Sequence, residues 1–103
     1  MDNFGYVMAT KMLVDNRRKV CFMYREEPAN KKDSGWRFFC GEEDQGYTDN
    51  PDNIAIYDIN TIIAIDKSIS PYLKSAMGTA LEREDENGIF SISKDFTFGE
   101  EGE

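Results

Sequence analysis

The sequence predicts an α+β fold: a single small domain with a mainly antiparallel sheet of about five to six strands and one or two short helices. Apolar and aromatic residues occur in short runs between Gly, Pro, Asn and Asp, which is typical of strands joined by turns. Asn87-Gly88 between two such runs is a strong hairpin signal. A chain of 103 residues, 40% of them hydrophobic, can bury one core. We expect this domain to span 1–98 and to be followed by a mobile acidic tail, 99–103.

Six segments have the bulky composition of strands. The third contains the only tryptophan, two phenylalanines and a glycine at each end, and we expect the sheet to form around it. The basic connection after the first strand, 11–19, has room for at most one helical turn. The predicted strands are residues 4–10, 20–26, 35–41, 54–58, 79–84 and 89–95.

Helical signals are short and few. Asp58 or Asn60 can cap a helix that ends at Ile65, although the isoleucines of this segment fit a strand nearly as well. Ser70 before Pro71 has the pattern of an N-cap and a first helical residue, which predicts the start of a second helical turn.

The two cysteines indicate a reducing compartment. If the second and third strands form a hairpin, one register pairs Cys21 with Cys40, Phe22 with Phe39 and Met23 with Phe38. Cross-strand Cβ atoms are about 4.5–5.5 Å apart, wider than the ~3.8 Å of a disulfide, so we expect two free, buried thiols. The N-terminus lacks a signal-peptide pattern and no apolar run is long enough to span a bilayer. We therefore expect a cytoplasmic protein without membrane contact.

Charge gives information about the partner. Twenty acidic and twelve basic residues give a net charge of −8, and residues 26–60 alone carry nine acids and three bases. Residues 42–53 form a long, polar, acidic segment that we expect to be a solvated loop. A negative surface repels nucleic acid and attracts basic proteins, which argues against nucleic-acid binding despite the basic patch at 17–19. Solubility alone is the alternative explanation for the charge.

The residues that enzymes commonly use are scarce. No histidine is present, which removes the Ser-His and Cys-His pairs and the common zinc sites. Gly35 and Gly41 bound a strand and lack the spacing of a phosphate-binding loop. The carboxylates between Glu42 and Asp58 do not match the spacing of a calcium loop, and a flexible polar loop lacks the burial that tunes catalytic carboxylates. We expect no enzymatic activity, no cofactor and no metal.

Nine residues are candidates for contact with a partner. Trp36 has two interpretations, a core residue packed against a helix or an exposed interface anchor. Since Arg37 alternates with Trp36 along the strand, we expect one of the two to face outward. The candidate partner-binding residues are Trp36, Arg37, Glu42, Glu43, Asp44, Tyr47, Asp49, Asp52 and Tyr57.

Two motifs, Gly35-Trp36-Arg37-Phe38-Phe39 and Asn50-Pro51-Asp52-Asn53, carry a resemblance to a known family. The chain resembles a family of small bacterial domains grouped with the immunity proteins of polymorphic toxin systems. The resemblance implies a protein that binds a toxin, and it offers no established catalytic residues to carry over. Cys40 stands where that family favours a small polar residue, which argues against a special thiol function. The further matching blocks are Gly5–Met8, Phe22–Pro28, Gly41–Glu43 and Tyr57–Ile62.

Three functional hypotheses follow. The first is an immunity-like, non-enzymatic module that presents its acidic loop to a basic partner protein, possibly a toxin, with aromatic residues as anchors. A stand-alone regulatory or structural domain that self-associates through a sheet edge, as a monomer or weak homodimer, is the second. The third is a weak binder of metal ions or small molecules that uses the same carboxylates.

Overall fold

A computed structural model describes residues 5–85 and 87–93 of the chain and gives a six-stranded mixed sheet with short helices. The predicted α+β class and strand number are therefore confirmed. The strands are β1 (Tyr6–Thr10), β2 (Phe22–Arg25), β3 (Asp33–Phe39), β4 (Ile54–Tyr57), β5 (Ala80–Glu82) and β6 (Ser91–Ile92). The helices are α1 (Lys11–Asp15), α2 (Gln45–Asp49) and α3 (Ile59–Ile65), with 3-10 helices at Pro51–Asn53 and Lys67–Tyr72.

The sheet has the strand order β4-β1-β3-β2-β5-β6. Only the β1–β3 pair is parallel among these contacts, and the other four pairs are antiparallel. The predicted hairpin register is confirmed, since Phe22 lies opposite Phe39 and Met23 opposite Phe38. The predicted C-terminal hairpin is also present, because β5 pairs with β6. Residues 94–95 of its second predicted strand and the tail 99–103 lie outside the described residues.

The core lies between one face of this sheet and the segments α1, α3 and the second 3-10 helix. Its largest member is Trp36, whose side chain is fully buried, stacks on Phe38 with ring centroids 5.9 Å apart and donates from Nε1 to the Leu73 carbonyl at 3.1 Å. A buried indole needs such an acceptor. The β-branched residues of α3 close the core, because Ile59, Ile62 and Ile65 are all buried.

The structure confirms one predicted helix start and corrects the other. Asp58 caps α3 as predicted, with its carboxylate accepting from the Asn60 amide at 2.8 Å. The second helical segment does not begin at Ser70: it is a 3-10 helix that begins at Lys67, with Asp66 as its N-cap and Pro71 inside it. Asp66 takes the capping position rather than Ser70 because its carboxylate is also held by Arg83 in a buried ion pair at 2.7 Å. This ion pair fixes the residue at which the segment starts.

The β3 strand begins at Asp33, two residues earlier than predicted, because Asp33 and Gly35 shape the backbone where the strand begins. Gly35 has a φ of +91°, and a Cβ there would lie 2.3 Å from the Glu26 carbonyl oxygen. The Asp33 carboxylate accepts from the Gly35 amide at 2.8 Å and from both terminal nitrogens of Arg37. The Arg37 side chain therefore points back toward the start of its own strand.

Candidate partner-binding surface

The acidic segment, residues 42–53, contains two short helices held by its own side chains, so the prediction of a loop is wrong, whereas most of its residues are exposed to solvent as expected. Asp44 accepts from the Tyr47 amide at 2.8 Å and begins α2. Asn50 accepts from the Asp52 amide at 3.0 Å and begins the first 3-10 helix. Caps of this kind each contribute roughly 1 kcal/mol. They explain how a segment whose two helices contain no buried residue takes a defined shape.

Two further contacts attach the acidic segment to the rest of the fold. The Tyr47 hydroxyl accepts from the Met12 amide of α1 at 2.9 Å. Asn53 donates from Nδ2 to the Tyr47 carbonyl at 2.9 Å, which joins α2 to the 3-10 helix behind it. The segment is therefore a structured projection beside α1 and the end of β3.

Glu43 is the anchor of the acidic segment rather than a free surface carboxylate. Its Oε2 accepts from the Thr10 hydroxyl and from the Cys40 amide at 2.9 Å, and its Oε1 accepts from the Gly41 amide at 2.9 Å. Burial opposes ionisation of the Glu43 carboxyl, but these hydrogen bonds outweigh burial and lower its pKa. The carboxylate is therefore a fixed anion at neutral pH.

The other predicted carboxylates are all exposed and differ in the contacts that they make. Glu42 is exposed and forms an ion pair with Arg18, a type of surface contact that contributes little to stability. Asp44, Asp49 and Asp52 are all exposed. Asp49 accepts from Gln45 Nε2 one helical turn earlier at 2.7 Å. Asp49 and Asp52 are thus the carboxylates most available to a partner.

Tyr57 lies beside the acidic segment, on the face of the sheet that packs on the core. It is half-buried, and burial, followed by the charges of Asp15 and Tyr47, raises its pKa. Tyr57 is thus near both Tyr47 and Asp15, and Asp15 adds another exposed carboxylate to this side of the molecule.

Trp36 and Arg37 lie in the interior, so the expectation that one of them faces outward is wrong. Trp36 has no exposed surface and Arg37 only 6%. Arg37 sits on the sheet face opposite Trp36, but its guanidinium is paired with Asp33 at 2.7 Å and with Glu26. The sequence alternation was therefore correct about the two faces and misleading about exposure, because ion pairing allows an arginine to be buried.

A feature that our sequence analysis missed is a cluster of rings on the sheet face opposite the core. The centroids of Phe22, Tyr24 and Phe39 lie 5.7–5.8 Å apart, and the Tyr24 and Phe39 planes are nearly parallel at 16°. A groove of about 530 Å³ runs between this ring cluster and α2, with Ile54 and Glu43 among its other lining residues. The signal was present in the sequence, because the predicted register already set Phe22 opposite Phe39.

The two cysteines show no sign of an activated thiol. Both cysteines are free, as expected from the sequence, with Cys40 buried and Cys21 half-buried. Burial, the largest cause, and the nearby Glu43 carboxylate raise the Cys40 pKa to about 11, so its thiol stays protonated at neutral pH. Across residues 5–85 and 87–93, no group of three potential metal ligands is brought together. Within the same ranges, no helix is long and apolar enough to cross a membrane.

Comparison with known proteins gives one match. A family model described as the immunity protein Imm33 domain matches residues 7–93. Neither curated proteins nor solved structures give a significant match. The family match covers all six strands except Tyr6, the first residue of β1, and includes all nine predicted contact residues. The chain therefore belongs to the Imm33 family of immunity protein domains.

Proposed function

We propose that this chain neutralises a toxin by binding a basic surface of it through the acidic segment, and that it performs no catalysis. The family match over residues 7–93 is the observation that carries the proposal. The net charge of −8 supports a basic partner, since complementary charge steers association and selects partners. Two free thiols agree with action in the bacterial cytoplasm.

The acidic segment is well suited to docking because its backbone is already ordered. Asp49 and Asp52 project from helices held by their own caps. Binding through a preorganised segment avoids most of the conformational entropy lost when a flexible loop is fixed. Exposed charges on such a projection contribute mainly to the association rate.

The remaining predicted residues have different functions in this proposal. Glu43 and Asp44 hold the segment in place, and Tyr47 with Tyr57 forms its aromatic border. Trp36 shapes β3 from within the core and Arg37 shapes it from the opposite face of the sheet, and they do not touch the partner. Glu42 contributes charge next to Arg18.

The test uses the protein encoded next to this chain, purified as an inactive variant, and measures association by stopped-flow fluorescence. We expect the double variant Asp49→Lys and Asp52→Lys to associate at least about ten-fold more slowly at low salt, with the difference shrinking at high salt. Glu43 and Asp44 are unsuitable for charge reversal because their carboxylates hold the local fold.

The matched control is Glu27→Lys, which makes the same type of charge change at an exposed position. Glu27 follows β2, at the end of the β2–β3 hairpin away from the acidic segment. If Glu27→Lys slows association as much as a single reversal at Asp52, the effect is one of overall charge and the proposed docking surface is wrong.

A second candidate, self-association, has one specific observation in its favour. The strand β4 lies at an edge of the sheet, and its Ile56 side chain is 58% exposed. Exposed edge strands with apolar residues favour pairing with another chain. Light scattering of the purified protein would show a dimer that Ile56→Lys dissociates. A monomer at all concentrations would remove this candidate.

A further inference from the structure

The strand β4 lies at one end of the sheet, directly after the acidic segment. Its inner neighbour is β1, and across residues 5–85 and 87–93 no strand pairs with its outer edge. Asn53 ends the first 3-10 helix and Ile54 begins β4, so the acidic segment leads into this edge without a gap. Backbone groups at a sheet edge can pair with a strand from another chain. The outer edge of β4 is therefore continuous with the proposed docking surface.

The pairing of β1 with its two neighbours fixes the direction of its backbone groups. In the parallel pair of β1 and β3, the Tyr6 amide donates to the Lys32 carbonyl at 2.7 Å, so the polar groups of Tyr6 point toward β3. Since these groups alternate along a strand, those of Val7 point the other way, toward β4, where Val7 lies opposite Tyr57. Tyr57 is therefore a residue of β4 whose N–H and C=O are both used by β1.

Ile56 is the neighbouring residue whose backbone groups point outward. It lies opposite Met8, one position before Tyr57, so the alternation turns its N–H and C=O away from β1. The Ile54 amide, by contrast, is already used, because it donates to the Pro51 carbonyl. The Ile56 side chain is 58% exposed. A strand laid beside β4 would exchange two hydrogen bonds with Ile56 and cover part of its side chain.

Exposed carboxylates lie at both ends of β4. Asp52 precedes Ile54 by two positions, Asp58 directly follows Tyr57, and both are exposed. A partner strand with an apolar residue at its centre and lysine or arginine at its ends would match this edge in hydrophobicity and charge. A second copy of β4 would instead bring the same carboxylates to the edge, and like charges oppose such pairing. The charge pattern thus favours a strand of a basic protein as the occupant.

We propose that a strand of the toxin adds to the outer edge of β4 and exchanges hydrogen bonds with the backbone of Ile56. This inference deepens the proposed function and rests on it for the identity of the partner. Asp49 and Asp52 speed the encounter in this arrangement, whereas the backbone bonds at Ile56 slow dissociation. The backbone pairing supplies affinity, and the side chains packed beside Ile56 supply selectivity.

Amide exchange at three consecutive residues of β4 tests the pairing, and NMR of the ¹⁵N-labelled chain measures it. In the free chain, we expect the Ile56 amide to exchange at least about ten-fold faster than those of Ala55 and Tyr57, which bond to β1. The inactive variant of the protein encoded next to this chain is then added. In that complex the Ile56 amide should exchange at least about ten-fold more slowly than before, while Ala55 and Tyr57 stay protected.

The variant Ile56→Pro tests the same hydrogen bond by removing its donor. Proline is tolerated at an edge position whose N–H points outward, and the bonds to β1 are kept. Ile56→Ala is the matched control, because it shortens the side chain and retains the N–H. We expect Ile56→Pro to dissociate from the toxin at least about ten-fold faster than Ile56→Ala, since a carbonyl of the partner loses its donor. Circular dichroism establishes folding, and if Ile56→Pro does not fold, amide exchange in the wild-type chain decides.

Four outcomes would overturn the inference: an Ile56 amide already protected in the free chain, no gain of protection in the complex, equal dissociation of the two folded variants, or Ile56 protection that rises with the concentration of the chain alone. The last would mean that a second copy occupies the edge. Failure here leaves docking through Asp49 and Asp52 standing, because their charge reversals are measured by the association rate. Conversely, if Ile56 gains protection but those reversals leave association unchanged, the proposed docking surface fails alone. If the toxin does not bind, both fail.

Discussion

Replacing Asp33 by Asn should remove one of the strongest polar interactions in the fold. The Asp33 side chain is fully buried, and its two oxygens accept four hydrogen bonds, from the amides of Ala29 and Gly35 and from two nitrogens of Arg37. All acceptor sites of the carboxylate are therefore filled. Asparagine turns one oxygen into an NH₂ group that faces donors, and it leaves Arg37 with Glu26 as its remaining ion-pair partner.

The pKa of Asp33 gives the size of the effect. Hydrogen bonds from Arg37, the largest cause, outweigh burial and lower the Asp33 pKa from 3.8 to about 2. At about 1.4 kcal/mol per pH unit, this difference corresponds to about 2 kcal/mol of stability at neutral pH. We expect Asp33→Asn to lose at least about 2 kcal/mol, with the loss of hydrogen-bond geometry adding to that.

The pH dependence separates this explanation from simple misfitting of the side chain. Because the folded-state pKa is depressed, the stabilisation is complete above about pH 5 and is lost as pH falls from there toward 2. Urea unfolding at pH 7, 4 and 3 measures it. The gap between wild type and Asp33→Asn should narrow steadily as pH is lowered. A gap that stays constant from pH 7 to pH 3 would refute the assigned ion-pair energy.

Two other predictions concern named positions. Gly35→Ala should prevent stable folding or lower the free energy of unfolding by more than about 3 kcal/mol, because its Cβ would lie 2.3 Å from the Glu26 carbonyl oxygen. Gly78 has a similar φ of +93°, but a Cβ there would meet open space. Gly78→Ala should therefore lower the free energy of unfolding by only about 1 kcal/mol. Thermal unfolding of both variants checks this, and equal losses would contradict it. Cys40 should react with iodoacetamide at pH 8 about 100-fold more slowly in the native than in the unfolded protein, because its pKa is raised to about 11. Peptide mass spectrometry measures that rate, and near-equal rates would show that Cys40 is not shielded.

Local chemistry was sufficient to predict most of the fold. The hairpin register followed from complementary apolar runs, and the Asp58 cap located α3, because both depend on neighbouring residues. The parallel pairing of β1 with β3 could not be predicted in this way, since it brings together strands separated by all of β2. The start of the second 3-10 helix was missed for a similar reason: Asp66 is fixed by Arg83, seventeen residues further along the chain.

The predicted surface was only partly recoverable from sequence. Acidic residues between 42 and 53 were correctly identified as a unit, but sequence could not show that Glu43 binds Thr10, thirty-three residues away. Burial of Arg37 also depends on a contact network that alternation alone does not encode. The ring cluster could have been inferred from the predicted register of β2 and β3, but the groove beside it also depends on the position of α2.

Hydrogen exchange with and without the bound toxin tests the central claim most directly. If the acidic segment is the docking surface, amides of 44–53 gain protection in the complex, because the partner covers α2 and the 3-10 helix that follows it. Amides of 26–32, at the far end of the β2–β3 hairpin, should exchange at unchanged rates. Protection confined to 26–32 or to the edge strand β4, with 44–53 unaffected, would contradict the proposed mode of binding.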